Sequence, residues 1–233
     1  MSTYLELYDL LEELINILNK HQIKYWADGG TLLGAIRHNG IIPEDDDCDI
    51  GIIKNTLTSK CIDEIKNIFL LTKTDFGYKV SYKYNNKILI KNKWSHHLIK
   101  IKNENQNLNR AEIMKLGKLS YDNNKVIYTE HTFPFVDITE YELKANTYTN
   151  KIFKESCYSK EGIDNLILKN FGNFFVNVPI DYITYLNNYY GMDWNEYRYT
   201  ASYDHKNEKK IKNIKKILIT DDMRIPADYV DLM

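Results

Sequence analysis

Proline is scarce, at four among 233 residues, and no linker or low-complexity tract interrupts the chain. Cysteine is scarcer still. Cys48, Cys61 and Cys157 are odd in number and scattered, which excludes a disulfide framework and suits a reducing compartment. No Cys/His spacing matches a zinc site, and His96 and His97 are adjacent with no partners near them in sequence. Net charge is close to absent, at −1, so the chain as a whole is no trap for polyanions. A long nucleic acid would need a local basic patch. Lys206 to Lys216 (KNEKKIKNIKK) is one candidate, and it reads more simply as a solvated helix face. No apolar run is long enough to span a bilayer, and the N-terminus lacks a basic start followed by an apolar stretch. The expectation is a cytoplasmic protein without a membrane span.

What the chain does contain is ample for a core. The hydrophobic fraction is 43%, and 19 tyrosines raise the aromatic share to 13%. Tyr4, Leu7, Leu11, Leu14 and Leu18 recur at helical intervals. Ile23 to Ala27 reads as a short strand ending at Asp28-Gly29-Gly30, with a short helix over Thr31 to His38. Asp47 to Ile53 alternates as a strand, with Asp47, Asp49 and Gly51 on one face and Cys48, Ile50 and Ile52 on the other. Cys61 to Phe69 is a second amphipathic helix. Strand patterns follow between Leu70 and Ile101, best seen at Tyr78, Val80, Tyr82 and Tyr84, and again over Phe133 to Glu140. Asn103 to Asn109 is polar and reads as a loop. The last third is rich in tyrosine and asparagine and reads as mostly helical, with Pro179 opening a helix and Gly191 closing it. The expected fold is α/β: a mixed sheet flanked by helices over residues 1–143, then a smaller helical lobe over 144–233, or one continuous domain.

The chemistry sits between residues 28 and 49. Two acids at i and i+2 on a strand project from one face, their Cα atoms about 6–7 Å apart. Asp47 and Asp49 can therefore converge on a hard cation such as Mg²⁺. Asp45 and Asp46 add like charge, which makes a buried cluster costly without a cation; an exposed one is only a solvated acidic loop. A calcium loop is a further alternative, but Ile50 stands where that loop needs glycine and Thr56 where it needs glutamate. Gly29-Gly30-Thr31 is either a plain strand-to-helix turn or a phosphate cradle, with glycines for close approach and helix N–H groups for the anion.

Taken together, Tyr25-Trp26-Ala27-Asp28-Gly29-Gly30-Thr31-Leu32-Leu33-Gly34-Ala35-Ile36-Arg37-His38, Asn39-Gly40-Ile41-Ile42-Pro43 and Asp45-Asp46-Asp47-Cys48-Asp49-Ile50 closely resemble the signature of the LicD family. That family includes bacterial phosphocholine transferases and fukutin-type ribitol-phosphate transferases. Phe133 to Ile138 resembles the family's later acid-bearing strand. Val178-Pro179, Tyr185-Leu186, Tyr189-Tyr190-Gly191 and Asp193-Trp194, followed by His205, resemble its closing pattern. Two positions depart: Glu44 stands where the family usually has tryptophan, and Cys48 where it has an aliphatic residue.

The resemblance implies a nucleotidyltransferase-like fold and Mg²⁺, with Mn²⁺ as a substitute. It further implies transfer of a phosphorylated small group, such as phosphocholine or an alditol phosphate, from a CDP-activated donor. The implied acceptor is a hydroxyl of a glycan or lipid-linked sugar. Asp47 and Asp49 are then the catalytic metal ligands, with Asp45 an outer ligand. Asp137 is a third acid that either completes the metal site or accepts the acceptor's proton, its alternative being an ordinary surface acid. Gly29, Gly30 and Thr31 face the donor phosphates. Arg37 either clamps a phosphate or pairs with the acidic loop, and His38 either bonds phosphate or caps its helix. Tyr185, Tyr189, Trp194 and Tyr197 can stack on a base, although helix-spaced tyrosines more often pack in a core. Two other functions share these residues: a nucleotidylyltransferase acting on RNA, protein or a small molecule, and a non-catalytic binding module.

Overall fold

A computed structural model describes residues 3–82, 119–122, 125–128, 134–200, 203–204 and 209–227. Tyr84, His96, His97, the Asn103–Asn109 stretch, Phe133 and His205, all singled out by sequence, lie outside the described residues. Helix α1 (Thr3–Lys20) opens the chain and buries Leu7, Leu11, Leu14 and Leu18, the stripe its periodicity predicts. Strand β1 (Tyr25–Ala27) leads into α2 (Gly29–Arg37), then β2 (Cys48–Ile53), α3 (Ser59–Ile68), β3 (Phe69–Lys73) and β4 (Gly77–Tyr82). A hairpin of β5 (Leu119–Asp122) and β6 (Lys125–Tyr128) precedes the long β7 (Phe135–Lys144).

The central sheet runs β1-β2-β7-β4-β3. Its β2–β7 pair is parallel and its other pairs are antiparallel, so this is the mixed α/β sheet flanked by helices that the pattern predicts. Strands β8 (Thr147–Thr149) and β9 (Cys157–Ser159) extend it from the far end of β7.

The last third carries more strand than its sequence suggests. Helix α4 (Lys160–Asp164) is a single turn, and α5 (Tyr182–Tyr190) begins after Asp181 rather than at Pro179, which ends a strand. Between them lies the hairpin β10 (Leu166–Phe171) and β11 (Phe174–Pro179), turned at Gly172. Beyond α5 come β12 (Tyr197–Tyr199), β13 (Tyr203–Asp204), β14 (Lys209–Lys210) and β15 (Lys216–Leu218), then a 3-10 turn at Asp221–Arg224. The basic run expected as a helix face thus contains β14 and the start of β15 in its described part. Tyrosine-rich segments suit strands as well as helices, and the hairpin pairing, which is tertiary, decides between them.

One hydrophobic core joins both ends of the chain. Leu7, Trp26, Ile50, Val136, Phe171, Val178 and Leu186 belong to the same buried cluster. Among the described residues no helix is long and apolar enough to cross a membrane.

Candidate active site

The sheet lines up four charged residues in neighbouring positions. Asp28 follows β1, and its N–H donates to the carbonyl of Asp49 on β2 at 3.1 Å. Asp49 and Asp137 are register partners across the parallel β2–β7 pair, and Lys79 is the register partner of Asp137 on β4. Asp47 sits one residue ahead of β2, and its carboxylate joins the row. Asp47, Asp49 and Asp137 each offer an oxygen within 4.8 Å of the others. Burial and the charges of Asp47, Asp137, Asp28 and Asp45 hold the Asp49 carboxyl well above the usual range. Asp45 is raised in the same way, by burial and then by Asp47 and Asp46.

The glycine turn is shaped by these acids. Helix α2 begins at Gly29, two residues earlier than Thr31, with Asp28 as its N-cap. A Cβ on Gly29 would come within 2.9 Å of Asp49 Oδ2, and one on Gly30 within 2.6 Å of Asp45 Oδ2. Gly29 also has φ +47°, where a side chain is disfavoured. Thr31 is buried, and its hydroxyl accepts the Asp49 N–H at 2.7 Å, fastening α2 to β2 rather than facing a ligand.

Sequence reasoning gave no sign of what surrounds Asp28. Its buried carboxylate accepts hydrogen bonds from Gly29 N–H (2.9 Å) and from the hydroxyls of Tyr141 (2.6 Å), Tyr158 (2.5 Å) and Tyr185 (3.2 Å). Ser156 lies 2.5 Å from the Tyr141 hydroxyl. Tyr158 and Tyr185 stack at 4.4 Å between centroids, so Tyr185 is spent here and not on a base. The three tyrosines come from β7, β9 and α5, and no local spacing could have grouped them. Lys79 was missed as well. Its ammonium lies 3.0 and 3.2 Å from the two oxygens of Asp137 and 3.2 Å from the Phe135 ring centroid, with Lys79 and Asp137 only 12% and 13% exposed. The alternation of β4 places Lys79 opposite the face of Tyr78 and Val80, but finding its partner requires the β4–β7 register.

In front of the acids is a cleft of about 420 Å³. Gly29, Gly30, Asp45, Asp46 and Asp49 form one wall; Tyr189, Trp194, Tyr197 and Arg198 belong to the other. Arg37 lines the cleft. Its Nη1 donates to the backbone carbonyls of Trp194 (2.7 Å) and Tyr197 (3.3 Å), which ties the second wall to α2. Burial pushes the Arg37 guanidinium down to about 10. His38 is the C-cap residue of α2, its N–H donating to Gly34, and burial beside Arg37 pushes its imidazole down to about 4.

Three carboxylates with only oxygen donors, drawn together on adjacent strands, suit a hard divalent cation. Their mutual spacing is near the spread of oxygens around one ion at about 2.0–2.6 Å.

Residues 22–114 match the family described as LicD/FKTN/FKRP, nucleotidyltransferase domain. The chain is 48% identical over 79 residues to an uncharacterized protein of Rickettsia prowazekii, covering 34% of this chain and 27% of that protein. It is 49% identical over 39 residues to the ribitol 5-phosphate transferase FKRP of Homo sapiens, covering 17% and 8%. With the lipopolysaccharide cholinephosphotransferase LicD of Haemophilus influenzae it shares 45% over 42 residues, covering 18% and 16%. The matched segments thus span little more than a quarter of these relatives at most. The glycine turn and the acidic strand beside it both fall within residues 22–114, the segment that matches the LicD family.

Proposed function

We propose that the chain is a Mg²⁺-dependent transferase that moves a phosphorylated small group from a CDP-activated donor to a hydroxyl of a glycan or lipid-linked sugar. The observation that carries this is the convergence of Asp47, Asp49 and Asp137 beside a cleft of nucleotide size. The names of two relatives, a ribitol 5-phosphate transferase and a cholinephosphotransferase, support the type of group transferred.

Asp47 and Asp49 would hold the cation, with Asp45 behind them against Gly30. The ion, when bound, supplies a positive charge for the donor diphosphate and for the charge that builds up on the leaving CMP. Asp137 has two available roles, and its surroundings favour one. Lys79 donates to its Oδ2 and holds a positive charge 3.0 Å from its Oδ1, which lowers its appetite for a proton, so ligand or anchor is the better reading. Asp28 lies too deep to touch a substrate and instead fixes the turn from which Gly29 and Gly30 face the cleft. Tyr189, Trp194 and Tyr197, all lining the cleft, are the aromatic surfaces available to a base.

Incubation with CDP-choline, CDP-ribitol or free nucleoside triphosphates, each with Mg²⁺ and a sugar acceptor, tests the proposal. Release of CMP supports it. Release of pyrophosphate from a triphosphate would move the chain to the nucleotidylyltransferases. Turnover unchanged by Asp49→Asn would remove the acids from the mechanism.

A further inference from the structure

Arg198 is the least satisfied cation of the cleft. It lies on β12, held by the antiparallel pairing of Arg198 with Ile217 on β15. Its side chain is 17% exposed, and its Nε is buried with no hydrogen-bond partner among the described residues. A buried donor left without an acceptor costs roughly 1–3 kcal/mol, so an acceptor brought to it is favoured. Its ion-pair partner is Glu44, whose Oε2 stands 3.6 Å from Nη1. That is beyond a good N–H···O hydrogen bond, and it leaves the planar fork unfilled.

Glu44 is a loose partner held in a tight loop. Its side chain is 54% exposed, while its backbone has φ +78° and its N–H donates to the Tyr4 hydroxyl at 2.8 Å. This is one of the two positions at which the sequence departs from the LicD pattern. The neighbouring arginine is better satisfied than Arg198, because Nη1 of Arg37 is engaged by the carbonyls of Trp194 and Tyr197. Arg198 therefore lines the same cleft as Asp45, Asp46 and Asp49 with its Nε unpaired among the described residues.

We propose that Arg198 binds a phosphate of the nucleoside diphosphate half of the donor, and that Glu44 is a built-in anion which the phosphate must displace. This rests on the donor reading above and adds to it a phosphate-binding residue with an internal competitor. Once Glu44 moves aside, a bidentate guanidinium–phosphate contact would fill an Nη and reach the Nε, which is buried while Glu44 is in place. The acidic wall would hold the metal side of the diphosphate and Arg198 the opposite side. Affinity for the donor is then set partly by how readily Glu44 lets go.

Isothermal titration of the full chain with CDP in the presence of Mg²⁺ tests this, with inorganic diphosphate and cytidine as separate probes. Arg198→Gln is expected to weaken CDP and diphosphate by at least about tenfold and to leave any cytidine binding alone. Arg198→Lys, which keeps the charge without the fork, should recover only part of that loss. Glu44→Gln should tighten CDP severalfold, and this gain should vanish when Arg198→Gln is also present. Circular dichroism of each variant checks that the fold is intact. Wild-type binding of CDP that Arg198→Gln leaves unchanged would overturn the assignment of Arg198 alone. An equal gain from Glu44→Gln with and without Arg198 would overturn the competition. A wild-type chain that binds neither CDP nor diphosphate would defeat the donor reading and this proposal together.

Discussion

Asp28 and Asp49 are neighbours, joined by a backbone hydrogen bond, and the protein treats their carboxylates in opposite ways. Burial raises the Asp28 carboxyl above its ordinary range, and donors oppose that rise: three tyrosine hydroxyls and the Gly29 N–H. Asp49 is given more carboxylates, and the leading influences on it, burial and four neighbouring acids, all push its pKa up. The difference separates two uses of a buried acid. A carboxylate that stays where it is gets hydrogen bonds from the fold; on the function proposed above, the crowded one would have its compensation supplied by a cation.

Removing one charge from the crowded group should have the largest effect on function and a small or favourable one on stability. Asp49→Asn is expected to lower turnover by at least about a hundredfold. Its urea midpoint should equal or exceed that of the wild type. A midpoint that fell instead would mean that Asp49 is structural, and the contrast with Asp28 would collapse.

Asp28→Asn reverses the pattern. It leaves three buried hydroxyls facing a neutral group and should cost about 3 kcal/mol in chemical denaturation. Any change in turnover in the folded fraction should be secondary to this.

His38 tests whether the chain also suppresses a buried cation. Its imidazole is pushed down to about 4 from an ordinary 6.5. Between those values the unfolded chain binds the proton and the folded chain does not. His38 therefore favours unfolding progressively as pH falls from about 6.5 to about 4. At about 1.4 kcal/mol per pH unit the loss amounts to about 3 kcal/mol at most. His38→Gln should flatten that part of the stability–pH curve, measured as melting temperature against pH; an unchanged acid limb would place the titration elsewhere.

Tyr158→Phe takes one hydroxyl from Asp28 and leaves the other donors in place. About 1 kcal/mol of destabilisation is expected, without loss of turnover beyond the unfolded fraction.

The two walls of the cleft also differ in how much of them the sequence discloses. The acidic wall is local. Gly29, Gly30, Asp45, Asp47 and Asp49 fall within about twenty residues, and strand alternation alone predicts that Asp47 and Asp49 share a face. The LicD resemblance adds Asp137, and the parallel register then brings it opposite Asp49. The aromatic and basic wall is not local. Arg198 reaches the cleft through the pairing of β12 with β15, and Arg37 is claimed by carbonyls more than 150 residues away. The tyrosine cage around Asp28 is likewise assembled from three separated elements. Periodicity reports which face of an element is buried, not which element it meets. That is also why the strands of the last third were hidden behind a helical-looking composition.

Binding of Mn²⁺ to the folded chain, followed by electron paramagnetic resonance, addresses the central contrast most directly. Saturable binding is expected in the wild type and in Tyr158→Phe, with a sharp loss in Asp47→Asn and Asp49→Asn. Mn²⁺ held equally well by Asp49→Asn, or not held by the wild type at all, would contradict the view that these acids are crowded together to receive a cation.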